Sequence, residues 1–517
     1  MSAIKDSEKA ALEEAENYNQ YQDPIRDPDE GKSDEERAEL DRQLVRKLDW
    51  RLIPWLCVLY LASFLDHIGN AKILGLQAQD PYITALVNAN VSDFWILDDL
   101  HHMTSGQYNA ALSIFFVSYS VFEPISNILL KKLRPRIWFT IIMVVWGICM
   151  TFMGFVKNWS GLMAARWWLG LWEAGLFPGV NYYLSCWYKR SEFGIRAAIF
   201  FSAAAVSGSF GGLLAAAIGN MDGIGGLHGW AWIFILEGIA TALIGLASYF
   251  ILVDFPDEAH FLTEDERLRV IRRLRADNQA SANHEAFQFK YVKQGLSDWK
   301  TYMGMIMYMG VDGALYAFSL FLPTIINNLG YKATKAQLLT VPVYAIACVF
   351  TIFVGFLADR MRKRGIFNIG FGLIAVAGYA ILLGSKNYKL SYAATYLAAM
   401  GVYPCIANTI TWVSNNSEGV YKRGFVLGLV IGWGNLNGVM SSNVYQGPDS
   451  PWYRPGHLVV LIYLAACLVG GSILNYVLLI RENAKRRRGD RDHWISGLDE
   501  SEIADRGDMR PDFIYTL

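Results

Sequence analysis

Apolar and polar residues are segregated along the 517-residue chain. Apolar runs of about 20 residues, the length that crosses a ~30 Å hydrocarbon core, occur at 52–76, 108–130, 137–156, 161–187, 196–219 and 230–252. A charged stretch follows, and six more runs come after it at 301–327, 336–357, 366–384, 391–413, 425–446 and 457–480. The pattern predicts an all-α membrane protein with twelve transmembrane helices in two six-helix bundles. Its expected divisions are a hydrophilic tail (1–50), a first bundle (51–252), a linker (253–299), a second bundle (300–480) and a closing tail (481–517). The first tail reads as mostly disordered, with a short helix near residues 35–48 and no cleavable signal peptide.

The loops set the orientation. Those after spans 2, 4, 8 and 10 hold thirteen Lys and Arg residues (131, 132, 134, 136, 189, 190, 196, 360, 362, 363, 364, 422 and 423), against six on the other side. By the positive-inside rule both termini and the linker are cytosolic. In the linker, Thr263 with Glu266 three residues later predicts a capped amphipathic helix with Leu268, Ile271 and Leu274 on its apolar face. The two halves echo one another, since Tyr188-Lys-Arg190 returns as Tyr421-Lys-Arg423. Duplicated halves around a midplane site are a common transporter plan.

Composition agrees, with 53% of residues apolar and 18% charged. The six cysteines lie inside apolar runs without metal or disulfide spacing and read as small hydrophobes. No phosphate loop, metal motif or nucleophile elbow is present, so the sequence argues against an enzyme and calls for no cofactor, metal or nucleic acid. The first outer loop carries a sequon, Asn90-Val-Ser92, and a His101-His102 pair that reads as solvated.

Candidate chemistry sits where charge enters the spans. Arg166 and Glu173 lie in span 4, where burying either charge in hydrocarbon costs at least ~2.5 kcal/mol. At ~100° per residue, seven positions return Glu173 to within about 20° of Arg166, roughly 10 Å along the axis. Gly170 lies between them on the same face. Arg166 suits a substrate carboxylate, because guanidinium offers two parallel hydrogen bonds and stays charged. Glu173, Asp66 and His67 of span 1 and Asp312 of span 7 are candidate proton carriers, while Asn70, Asn408 and Asn435 are neutral groups suited to substrate. Glu123, beside Pro124, and Glu237 read as helix-packing acids.

Several stretches together resemble the fungal allantoate permease group, anion:cation symporters with the major facilitator fold. They include Ile68-Gly-Asn-Ala71, Ser126-Asn-Ile-Leu-Leu-Lys-Lys-Leu-Arg-Pro135, and Arg166 with Gly170, Glu173 and Pro178. Gly229-Trp-Ala-Trp-Ile-Phe, Gln337-Leu-Leu-Thr-Val-Pro342, Trp412-Val-Ser-Asn-Asn416 and Ile431-Gly-Trp-Gly-Asn435 extend the match across residues 50–480. The chain departs from that pattern in running Asp66-His67 straight into Ile68 and in its longer outer loop before Gln107. The resemblance implies a plasma-membrane secondary transporter that imports a small organic anion with protons. A monomer in the bilayer is the expected form. An uncoupled facilitator and a non-transporting nutrient sensor are the alternatives.

Overall fold

The computed structural model describes residues 27–75, 105–219, 221–277, 288–328, 333–445, 449, 452–499, 502–503 and 506–517. Helices fill almost all of them. In chain order these are α1 (Asp34–Gly75), α2 (Ser105–Leu133), α3 (Pro135–Met153), α4 (Trp159–Glu173), α5 (Leu176–Ser185), α6 (Arg190–Gly219) and α7 (Gly229–Ile251). The linker contributes α8 (Glu264–Ala276) and α9 (Phe289–Ser297). The second half holds α10 (Trp299–Asn328), α11 (Ala333–Met361), α12 (Gly365–Gly384), α13 (Tyr388–Asn415), α14 (Val420–Asn435), α15 (Gly438–Ser441), α16 (Arg454–Ile462) and α17 (Gly471–Arg487). A π-helical segment, Tyr463–Gly470, joins α16 to α17. Among the described residues, nine helices are long and apolar enough to cross a membrane.

Local chemistry explains the helix limits. The Asn158 side chain caps α4 by accepting from the Gly161 amide at 2.8 Å. The fourth apolar run divides into α4 and α5 because Pro178, in the first turn of α5, has no N–H with which to continue α4. The expected capping box is present in α8, where Glu266 accepts from the Thr263 amide at 2.9 Å and Thr263 Oγ1 from the Glu266 amide at 3.3 Å. The expected short helix near residue 35 is instead the start of α1, which runs unbroken to Gly75.

The halves repeat one plan. In the first, α1 packs on α6, α2 on α4 and α3 on α7; in the second, α10 packs on α14, α11 on α13 and α12 on the π segment. The halves meet along two seams, α2 with α14 and α6 with α11. Each seam is the other's counterpart under the repeat. One buried core runs through both halves. Large apolar side chains such as Phe250 (80% exposed) and Val349 (64%) point outward, as on a lipid-facing belt.

One end of the bundle, the linker face, is held by ion pairs. Residues 27–33 dock on α8, where buried Asp29 accepts from Arg269 at 2.7 and 2.9 Å and pairs with Arg272 at 2.9 Å. The bound Arg269 guanidinium holds the Asp29 carboxyl well below the usual carboxylate range. Consequently α8 buries Val270 and Leu274 together with Arg269 and Arg273, and leaves Leu268 and Ile271 half-buried. The face turned inward is the one that meets acids on neighbouring segments, including Glu192 at 2.5 Å from Arg273.

Residues 506–517 fold back onto the same face. Thr516 O accepts from Trp412 Nε1 at 2.8 Å and from Asn416 Nδ2 at 2.9 Å. Tyr515 exchanges backbone bonds with the Asn483 amide, both at 2.9 Å. Asp508, fully buried, accepts from Lys300 at 2.8 Å and Lys422 at 2.7 Å. Burial alone would raise its pKa, but the two ammonium groups outweigh that and hold it well below the usual range. The Arg190 guanidinium, at the start of α6, stacks over the Phe513 ring at 4.7 Å and so joins this segment to the first half.

Candidate functional site

Between the halves lies a cavity of about 20 Å³, lined by Tyr60, Ser63, Phe64, Tyr119, Phe177 and Phe201 from the first half and Tyr308, Asp312, Leu315, Tyr316 and Asn435 from the second. That is room for about one water molecule. An organic acid needs the halves to part before it can bind. The walls are mainly aromatic: Tyr60 stacks on Phe177 at 5.2 Å and 24°, and Phe201 meets Tyr403 at 6.0 Å. Tyr308, Asp312 and Tyr316 reach the cavity together because a spacing of four puts them on one face of α10.

Two of the candidate residues, Asp312 and Asn435, line the cavity directly. Among the described residues no donor reaches Asp312 Oδ2. Asn435 is the hub of a chain across the halves: its Oδ1 accepts from Tyr316 at 2.8 Å, and its Nδ2 donates to Glu123 Oε2 at 3.1 Å. Glu173 stands one layer back, accepting at 2.9 Å from Ser63, itself a wall residue.

The other candidates lie elsewhere. Arg166 is buried on the same face of α4 as Glu173, but it is not part of the cavity wall. At Gly170 α2 packs directly on α4, and its Phe115 carbonyl and Ser118 hydroxyl leave no space for a Cβ. Asp66 turns toward α7, accepting from Thr241 Oγ1 at 3.2 Å. Glu237, one turn earlier on α7, is close enough to act on Asp66 through space, and among the described residues neither of its carboxyl oxygens has a donor.

Asn408 belongs to the linker face. Its Nδ2 donates to Arg364 O at 2.9 Å and to Asn368 Oδ1 at 2.7 Å, beside the buried Arg364–Asp359 ion pair. Asp359 Oδ2 in turn accepts from the Ile195 amide at 2.6 Å, across the α6–α11 seam. The side chains of His67 and Asn70, and the loop with Asn90, His101 and His102, lie outside the described residues.

Among the described residues no cluster of His, Cys, Asp and Glu has the make-up of a metal site. The cavity tyrosines did not stand out in the sequence. Their signal was there in the periodicity of Tyr308 and Tyr316 around Asp312.

The two-seam helical plan with a cavity between its halves is that of a known group of transporters. Residues 74–442 match the Major Facilitator Superfamily. The chain belongs to this superfamily. Superfamily relatives in fungi are similar along most of its length. An uncharacterized transporter of Schizosaccharomyces pombe is 36% identical over 455 residues, covering 87% of this chain and 86% of the relative. The high-affinity nicotinic acid transporter of Saccharomyces cerevisiae is 30% identical over 451 residues, covering 87% and 80%. In three dimensions, a bacterial homolog of the human lysosomal transporter Spinster, inward-facing and unoccupied, superposes with a TM-score of 0.53 at 15% identity, covering 86% of this chain and 98% of that one. That likeness bears on the fold alone. As a superfamily member with named transporters among its relatives, the chain is a multi-pass membrane transporter and not an enzyme.

Proposed function

We propose that the protein imports a small organic acid together with protons, by alternating access of two six-helix bundles, twelve spans in all, whose linker face is cytosolic. The observation that carries this reading is the closed cavity between the halves, walled by aromatic rings and hydroxyls with Asp312 in its wall and Glu173 behind it. Ring faces favour a flat, unsaturated acid, and the fungal nicotinic acid transporter is a relative whose named cargo has that shape. Asp312 and Glu173 are the proton carriers, with Asp66 a further one between α1 and α7. Asn435 contacts substrate. Arg166 receives its carboxylate once the halves part and the wall of α2 over Gly170 shifts.

The test is uptake of labelled small carboxylates by cells that lack their own permeases, at two external pH values and with a protonophore. Uptake should rise at the lower pH and collapse with the protonophore. Arg166→Ala and Glu173→Gln proteins that reach the membrane should lose it. Normal uptake by both variants with an unchanged pH profile would sink the assignment, and uptake indifferent to the protonophore would leave a facilitator instead.

A further inference from the structure

The α2–α14 seam holds an acid that the reading above leaves unused. Glu123 has no exposed surface. It lies one helical turn from the cavity residue Tyr119 toward the linker face, and one turn before Asn127, whose Nδ2 donates to Gly424 O at 2.8 Å across the seam. It therefore sits between the cavity and the contact that closes it off from the linker face.

The surroundings of Glu123 are sparse in donors. Oε2 accepts one bond, from Asn435 Nδ2 at 3.1 Å, whereas Oε1 has no hydrogen-bond partner among the described residues. The titratable groups that face it are Asp312, Tyr308 and Tyr316 from α10 and Tyr119 from its own helix, and α14 offers neutral Asn435. None is a cation.

Water is kept out by backbone contact. Pro124 has no N–H to give the Ser120 carbonyl, and α14 approaches that bared carbonyl closely. A methyl at Gly432 would lie 2.9 Å from Ser120 O and 3.2 Å from Glu123 Oε2, and one at Gly428 would lie 2.8 Å from the Pro124 Cα. A full charge sealed here against a single neutral amide would cost several kcal/mol. The closed seam therefore holds the neutral acid. Opening the cavity to the linker face parts α2 from α14 at Asn127 and Gly424 and lets water reach the carboxyl, and a glutamic acid in water at neutral pH ionises.

We propose that Glu123 is the proton-release residue of the transport cycle. Its O–H bond breaks as the seam parts and the proton passes to an entering water on the linker face; the carboxylate then takes up a proton that entered the cavity from the opposite side and was held on Asp312, and the seam closes over the neutral acid. One proton is thereby tied to each opening toward the linker face. This rests on the alternating-access, proton-driven reading and adds the site of release.

The experiment pairs a spectroscopic readout with a transport readout on the full chain in lipid nanodiscs and in vesicles. A pH-step infrared difference spectrum should show a carboxylic acid C=O band that is missing in Glu123→Gln. In vesicles, accumulation by Glu123→Gln should fall about tenfold or more and lose its pH dependence, the size expected when a coupling free energy of 1–3 kcal/mol is removed. Exchange of labelled for unlabelled substrate, which needs no net proton release, should fall far less. Glu123→Asp, which keeps an acid at the seam, should retain part of the pH dependence and guards against a folding failure of the glutamine variant. An infrared band that persists in Glu123→Gln, or accumulation by that variant with the wild-type pH profile, overturns the proposal. If wild-type protein accumulates no carboxylate, the transport reading fails, and the infrared band alone decides whether Glu123 is the group that loses a proton.

Discussion

Asp508 and Asp312 are both hidden acids, at 0% and 2% exposure, yet their neighbours differ completely. Asp508, on the linker face, sits between the ammonium groups of Lys300 and Lys422 at 2.8 and 2.7 Å. Asp29 has Arg269 and Arg272, and Asp359 has Arg364. In the middle of the bundle, Asp312 Oδ2, Glu123 Oε1 and both oxygens of Glu237 lack a donor among the described residues. A buried ion pair is costly to break, because the survivor is left as an uncompensated charge. An acid without a cation instead stays neutral until water arrives. The first arrangement holds a shape and the second is suited to carrying a proton.

The contrast can be broken or sharpened by experiment. Arg364→Ala should have the largest effect, since it strands the buried carboxylate of Asp359, and buried-pair truncations cost on the order of 3–5 kcal/mol. Thermal unfolding of purified protein measures it, and an unchanged midpoint would mean that the linker-face pairs contribute no stability. Asp508→Ala leaves two buried ammonium groups sharing the single carboxylate of Asp298 and should cost roughly 2–3 kcal/mol. Faster tryptic cleavage after Arg506 would report release of the segment.

Gly432→Ala tests the seam rather than the charges. Its new methyl meets the Ser120 carbonyl at 2.9 Å, and overpacking of this kind costs about 1–3 kcal/mol. Transport should fall more than stability if the seam must close fully.

A smaller, pH-dependent effect should appear at Glu418, whose backbone N–H donates to Asp508 Oδ1 at 3.2 Å. Burial pushes its carboxyl up to about 7, against the pull of Arg510. The docked state thus favours the proton, so docking of residues 506–517 is strongest well below pH 7 and weakens as pH rises through about 7. Protease resistance of the segment between pH 5 and 8 should follow that slope, and Glu418→Gln should flatten it. Smallest of all, Glu237→Gln should change stability by no more than about 0.5 kcal/mol, because it removes no cation's partner. A large loss there would place Glu237 with the structural charges.

Hydropathy made most of the fold legible, because a residue facing lipid must be apolar whatever it packs on. The breaks inside spans were less so. Pro178 marks the α4–α5 division openly, whereas the π segment at Tyr463–Gly470 has no such residue to announce it. At the site, intramembrane charge pointed to Asp312 and Glu173, which gather at the cavity, and equally to Arg166, which is not in the cavity wall, and Asp66, which turns toward α7. Cost of burial identifies a residue as constrained, but not which way it points. Asn408 shows the same limit, since an amide inside a span serves a neighbouring backbone carbonyl and a second asparagine as readily as a substrate. The docking of residues 506–517 was invisible for another reason: many of its bonds are accepted by backbone carbonyls, which every sequence possesses.

Those carbonyls also bear on biosynthesis. Trp412, Asn416, Asn483 and Arg486 are synthesised before the stretch that satisfies them, so they wait with unmet donors while the ribosome finishes. A message cut short upstream of Arg506 would still yield every apolar helix, and insertion into the bilayer would proceed. What it would lack is the cover over those donors, a defect that cellular quality control can detect at the water-facing surface of an otherwise inserted protein.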